Sequence, residues 1–344
     1  MKKLLLPLIV IVIIAVALLR SMQGREIPYQ HLEGTVFGTI YHITYQGDED
    51  YHDKIRSALR DFDASLSMFN AESIISRFNR NDSTAVADHY FTTVFRCAEQ
   101  VSAATHGAFD ITVAPLVNLW GFGFQHSDSV TAEAVDSIRT FVGYQLVSLT
   151  DSGHIVKADP RVIMDASSVA KGYASDVIAE LLRQHGISNY MVEIGGEIAL
   201  NGVNAKGEAW SIGINKPTED ASNTNQEIEN VLRLTSGGMA TSGNYRNFYY
   251  HEGRRVAHTI DPHTGYPIQQ DILSSTVLAA DCMTADAYAT AFMVLGKERS
   301  LEILAQDTTL CAYFIVSAAD STAEHPYDIV YSPRLEEKLK LKSR

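Results

Sequence analysis

Asp286 and Thr290 stand four residues apart in the segment Thr284-Ala-Asp-Ala-Tyr-Ala-Thr-Ala-Phe-Met-Val-Leu-Gly296. The segment reads as the start of a helix, and this spacing puts both oxygens on one face. A carboxylate beside a hydroxyl, among small neighbours, can hold a hard cation such as Mg²⁺. Such a cation can neutralise phosphate oxygens, so the pair points to metal-assisted phosphate chemistry.

Three other segments carry groups that such chemistry would use. In Asp165-Ala-Ser-Ser-Val-Ala-Lys-Gly172, either Ser167 or Ser168 can cap a helix. The first-turn N–H groups then face the loop, where an anion can sit. Lys171 adds positive charge and Gly172 permits close approach, although the glycine-rich part of a Walker loop is missing. Read alone, the segment is equally a capped helix with a surface lysine. In Gly107-Ala-Phe-Asp-Ile-Thr-Val, Asp110 lies in an apolar run. An unpaired carboxylate there is costly, so it must meet a backbone N–H, an arginine or a ligand. Downstream, Trp120 and Phe122 suit either a ring-stacking wall or a core. The last segment joins Thr241-Ser-Gly-Asn-Tyr-Arg-Asn247 to the turn-rich His258-Thr-Ile-Asp-Pro-His-Thr-Gly-Tyr-Pro267. His258 can accept a proton near neutral pH, or serve only as a structural hydrogen-bond partner.

The elements that must position these residues follow from periodicity. A helix is expected where Ile55, Leu59, Phe62 and Leu66 recur at three- to four-residue spacing, and further helices over 73–78, 92–105, 131–140, 169–185, 284–295 and 297–305. Strands are expected at 35–45, 142–149, 154–157, 161–164, 190–194 (continuing past Gly195-Gly196 to Leu200), 210–214, 230–235, 245–251, 255–260, 273–280, 311–317 and 328–331. Glu252-Gly253 fits a hairpin turn. Strands and helices do not alternate regularly, which predicts an α+β fold of mixed or antiparallel sheets with packed helices.

Bulk composition sets limits. The chain has 344 residues, 46% hydrophobic and 20% charged, ordinary values for a globular protein. Its net charge is −13, and the first 25 residues carry Lys2, Lys3, Arg20 and Arg25 with no acid. The remainder is therefore more acidic still and repels nucleic acid backbones. The three cysteines, Cys97, Cys282 and Cys311, form no zinc or CxxC pattern and read as buried small hydrophobes. Lys2-Lys3 precedes an uninterrupted apolar run from Leu4 to Leu19. We expect residues 1–25 to be a membrane anchor, or a signal segment if cleaved. Residues 26–33 would then be a linker, 34–333 the domain, and 334–344 a charged tail. The domain is expected outside the cytoplasm, anchored on the periplasmic side of a bacterial inner membrane, or secreted if the segment is cleaved.

Taken together and in order, the segments above, with Val192-Glu-Ile-Gly-Gly-Glu197, resemble the successive motifs of the ApbE family over roughly residues 34–317. The resemblance implies one ApbE-like domain that binds FAD and Mg²⁺. It implies transfer of the FMN moiety onto a Thr or Ser hydroxyl of an acceptor protein, with release of AMP. Water as nucleophile would make the same site an FAD pyrophosphatase, and a non-catalytic flavin-binding envelope protein is the third reading. By motif match, Asp286 and Thr290 resemble metal ligands, and Ser168 resembles a residue giving its backbone carbonyl to the metal. Ala108, Phe109, Asp110, Asp165, Lys171 and Ile260 fall at FAD-contact positions. Phe37 stands where the family has Met before Gly-Thr, and Phe69 where Trp or Tyr is usual; both are expected to touch FAD. His258 is the candidate base for the acceptor hydroxyl, with Asp261 second. The acceptor implied is a subunit of a membrane redox complex.

Overall fold

Helix α1 (His52–Leu66) shows how patterning becomes structure: Ile55, Leu59, Phe62 and Leu66 recur on one face and are all buried. Each such burial contributes roughly 1.5–3 kcal/mol. The computed structural model describes residues 27–123, 130–217, 227–244, 248–251, 254–318 and 326–339. The apolar run Leu4–Leu19, residues 218–226, Tyr245–Asn247 and the Glu252-Gly253 turn lie outside the described residues. Among the described residues, no helix is long and apolar enough to cross a membrane.

Strands β1 (Tyr29–Val36) and β2 (Thr39–Gln46) precede α1. Helices α2 (Ile74–Asn79), α3 (His89–Ala104), α4 (Ala114–Leu119) and α5 (Ala132–Arg139) follow it. A small hairpin of β3 (Val147–Leu149) and β4 (Ile155–Lys157) leads into α6 (Ala170–Gln184). Then come β5 (Tyr190–Ile194), β6 (Glu197–Asn201), β7 (Trp210–Asn215), β8 (Ile228–Leu234) and β9 (Ser236–Gly243). The hairpin β10 (Phe248–His251) and β11 (Arg254–Ala257) precedes β12 (Ile272–Ala279). Helix α7 (Cys282–Gln306), β13 (Cys311–Ser317), β14 (Tyr327–Tyr331) and α8 (Pro333–Leu339) complete the order.

Eight strands form one sheet in the order β1-β2-β5-β6-β9-β12-β13-β14, and every neighbouring pair is antiparallel. The α+β expectation holds, with the large sheet purely antiparallel. One face carries α1, α3, α6 and α7 over a core that includes Ile43, Phe62, Ile178, Val192 and Phe292. The ribbon β7–β8 covers part of the other face, packing Trp210, Ile212 and Leu232 on Ile198 and Tyr313. Helix α7 runs through the main core and is apolar on most sides for that reason. It is two helices joined at Gly296 (φ 75°), which matches the two helices expected over 284–295 and 297–305.

Several expectations are corrected. The strand expected over 35–45 is broken at Phe37-Gly38, both at positive φ (52° and 73°). The chain reverses there into a hairpin, so β1 occupies Tyr29–Val36 where a linker was expected through residue 33. Gly195-Gly196 is likewise a reversal, pairing Ile194 with Glu197. Residues 161–164 form no strand; the Met164 amide donates to Asn79 Oδ1 at 2.8 Å instead of to a sheet partner. Within the stretch expected as a charged tail, α8 buries Leu335.

Candidate active site

The site is built on the N-terminal half of α7. Asp281 caps this helix, its side chain accepting from the Thr284 amide at 2.8 Å. One turn later, Asp286 is buried and its Oδ2 accepts from the Gly172 amide at 3.0 Å. A further turn on, Thr290 Oγ1 lies 3.2 Å from Ser242 Oγ on β9. The two oxygens singled out in the sequence are therefore gripped from α6 and from the sheet. Burial raises the Asp286 carboxyl above its ordinary range, opposed by the Lys171 charge and the Gly172 amide.

Lys171 Nζ meets Glu197 Oε1 at 2.5 Å. Glu197 is buried, and its other oxygen, Oε2, has no hydrogen-bond partner. Burial pushes the Glu197 carboxyl up to about 8, with Asp286 adding to the effect and Lys171 opposing it. Burial pulls the Lys171 ammonium down, yet Glu197 and Asp286 together hold it above its ordinary value. Burial thus disfavours keeping both carboxylates ionised beside one ammonium, a cost that a bound cation would offset. The donors of Asp286 and Thr290 are hard oxygens, and with the orphaned carboxylate oxygen of Glu197 in the same cavity lining they suit a small hard cation. Among the described residues, no group of three or more His, Cys, Asp or Glu is arranged as a metal site, so a cation here would rely on few protein ligands.

Two loops close the site. Asp110 is buried, and the partners its position demands are donors of the chain itself. Oδ1 accepts from the Thr112 amide and hydroxyl, both at 2.7 Å, and Oδ2 from the Tyr144 amide at 2.7 Å. Burial raises this carboxyl, and those donors oppose the rise. Asp165 lies alongside, its amide donating to Ile111 O at 2.6 Å and its Oδ1 accepting from the Ser167 amide at 2.8 Å. Burial raises its carboxyl too. The 258–267 turn is tied down by His263, whose Nε2 lies 2.8 Å from His106 O, and by Trp120 Nε1 donating to Gly265 O at 2.8 Å. His258 has the Phe122 ring edge-on at 6.3 Å.

These segments enclose a cavity of about 750 Å³. Asp286, Thr290, Ser168, Lys171, Ala108, Phe109, Asp110 and Asp165 all line it. His258 and Ile260 line it as well. Three expected site residues are not in this lining. Phe37 sits at the β1–β2 turn with its ring 5.4 Å from that of Phe62, and Phe69 is 80% exposed. The Asp261 carboxylate is engaged within its own turn, accepting from the His263 amide at 2.9 Å.

The structure also adds residues. Glu197 closes the Val192–Glu197 motif, and as an acid opening the apolar strand Glu-Ile-Ala-Leu it carries the same signal as Asp110. Asp176 lies four residues after Gly172 on the α6 face that meets α7. Ser242 carries no local signal, because its role depends on β9 lying beside α7.

The model of the ApbE family matches residues 37–314. The FAD:protein FMN transferase of Haemophilus influenzae is 40% identical over 323 residues, 88% of this chain and 92% of that protein. The protein of the same description from Escherichia coli is 36% identical, over 84% of this chain and 85% of its own length. The solved structure of the flavin transferase ApbE from Vibrio cholerae aligns with a TM-score of 0.80 at 34% identity, over 90% of this chain and 99% of that one. The flavinyl transferase ApbE of Pseudomonas stutzeri, in its apo form, gives a TM-score of 0.80 at 29% identity, over 92% and 98%.

Proposed function

Since the chain belongs to the ApbE family, we propose that it is an FAD:protein FMN transferase that works at the cavity between α7, α6 and the 258–267 turn. The observation that carries the placement is the gathering of Asp286, Thr290, Ser168 and Lys171 on one cavity of about 750 Å³. That volume falls within the roughly 300–1,000 Å³ of small-molecule sites.

In this reading FAD is the substrate and a Thr or Ser hydroxyl of an acceptor protein is the nucleophile. The hydroxyl oxygen bonds to the FMN-side phosphorus, the bond from that phosphorus to the bridging oxygen breaks, and AMP departs with that oxygen. His258 accepts the hydroxyl proton. Lys171, kept cationic by Glu197 and Asp286, offsets charge on the diphosphate. The loop Ala108-Phe109-Asp110, with Asp165 and Ile260, forms the wall against which FAD lies. Asp110 acts by fixing this loop, because its carboxylate is already satisfied by Thr112 and Tyr144. Ser168, Asp286 and Thr290 would hold Mg²⁺, whose chemistry is to neutralise phosphoryl oxygens as the bond breaks.

The N-terminal Lys2-Lys3 and the apolar run after it support placing the domain on the periplasmic side of a bacterial inner membrane, anchored or released. An anchor would set the domain beside membrane redox complexes, whose subunits are the acceptors the family resemblance implies. The test is AMP release from FAD with Mg²⁺, with and without candidate acceptors. Release that depends on the acceptor and leaves it covalently flavinylated is the expected result. Equal release without acceptor, and no labelled protein, would make the chain a pyrophosphatase.

A further inference from the structure

Helix α7 has a second acid at its N-terminus, donated by another element. Asp281 already caps the helix through Thr284. Asp176, on α6, also receives the first two amides: Cys282 N donates to Oδ1 at 2.9 Å and Met283 N to Oδ2 at 2.8 Å. The first three N–H groups of α7 thus end on two carboxylates, whereas an ordinary cap residue satisfies one or two. Burial, with Asp281 adding repulsion, pushes the Asp176 carboxyl up to about 7 although two amides oppose it. A bidentate carboxylate kept there against that cost fixes geometry.

That geometry leads to Asp286. Gly172 and Asp176 are four apart, so they share one face of α6. Asp176 takes the end of α7 while the Gly172 amide takes Asp286 one turn further along. Two contacts at different heights fix both the axial position of α7 and its rotation against α6. On the reading above, in which Asp286 and Thr290 hold the cation, we propose that Asp176 is a positioning residue for the cation site: through the first turn of α7 it sets where Asp286 and Thr290 stand in the cavity.

The experiment measures Mn²⁺ retained in equilibrium dialysis by the full chain saturated with FAD, without acceptor, beside thermal melting of each variant. Asp286→Ala defines the site: wild type is expected to retain Mn²⁺ that this variant does not. Asp176→Asn faces one backbone donor with an amide N–H and should weaken retention about tenfold or more, the usual cost of losing an outer-shell partner. Asp281→Asn damages the same helix end from within α7; it should lower the melting temperature while leaving retention within about threefold of wild type. If Asp176→Asn does not fold, Asp176→Glu keeps the charge and both acceptors but adds one methylene, and the same weakening is expected. Wild-type retention in the Asp176 variants, or equal weakening by Asp281→Asn, would reduce Asp176 to a stabilising cap and overturn the proposal. Wild type and Asp286→Ala retaining equal Mn²⁺ would instead sink the cation reading on which it rests.

Discussion

The amide of Gly172 donates to Oδ2 of Asp286 at 3.0 Å, and the Gly172 Cα lies almost against α7. A methyl group there would stand 2.4 Å from the Cys282 carbonyl oxygen and 2.8 Å from Asp286 Cβ. Both neighbours belong to a helix packed on two sides, so neither yields cheaply. Gly172→Ala is expected to cost about 1–3 kcal/mol by overpacking and to lower FAD turnover at least about tenfold by displacing Asp286. Thermal melting and AMP release check the two effects separately.

Asp286→Ala removes the buried carboxylate and leaves the Gly172 amide without its acceptor. The stability loss should be about 1–3 kcal/mol, and flavin transfer should fall by roughly 10²–10³-fold. Thr290→Val preserves shape while removing the hydroxyl that meets Ser242. Its expected signature is milder: the Mg²⁺ concentration giving half-maximal AMP release rises about tenfold, and the rate recovers at high Mg²⁺. A Thr290→Val enzyme with the wild-type Mg²⁺ dependence would remove Thr290 from the ligand set.

Glu197 gives a prediction in pH. Its carboxyl lies at about 8 in the fold, raised by burial from an ordinary value of 4.5. A raised folded value means that its contribution to stability is fully present below about 4.5 and is lost as pH rises through about 8. Glu197→Gln resembles the protonated side chain at every pH. Wild type should therefore lose stability relative to Glu197→Gln between pH 4.5 and 8, read as diverging urea midpoints. Parallel midpoints across that window would show that the pair with Lys171 keeps Glu197 ionised throughout.

His258 lines the cavity, whereas the Asp261 carboxylate is engaged by the His263 amide. His258→Ala should reduce flavin transfer by about 10²–10⁴-fold with little change in the KM for FAD. Asp261→Asn should mainly lower stability by loosening the turn. Transfer at the wild-type rate in His258→Ala would remove the proton acceptor from the mechanism.

The sequence displays much of the site and less of the sheet, for physical reasons. Asp286, Thr290 and Asp110 are legible because each breaks a local rule: an acid in an apolar run, or oxygens paired at helical spacing. Lys171 breaks none and is legible only within its motif. The helix faces follow from periodicity, as in α1. Strand β9 does not, since Ser-Gly-Gly-Met-Ala-Thr-Ser-Gly has little strand propensity. It is a strand because α7 crosses it at close range: a methyl at Gly238 would stand 2.1 Å from the Cys282 nitrogen. Gly238→Ala should accordingly cost about 3 kcal/mol, a fall of several degrees in Tm. Phe37 and Phe69 show the opposite case, since motif position nominated them while the turn and loop that carry them leave both out of the cavity lining. Helix α4 is short and lies in an apolar run that also fits a core loop, and only its packing around Leu116 and Ile260 decides between them.

In the proposed reaction one carboxylate and one hydroxyl on α7 hold the cation that meets the FAD diphosphate. Crystals of the chain soaked with FAD and Mn²⁺, with data collected at the manganese edge, test it directly. An anomalous peak is expected within coordination distance of the Asp286 carboxylate and Thr290 Oγ1, touching the diphosphate beside Lys171. A diphosphate bound in the cavity with manganese elsewhere, or with none, would contradict it.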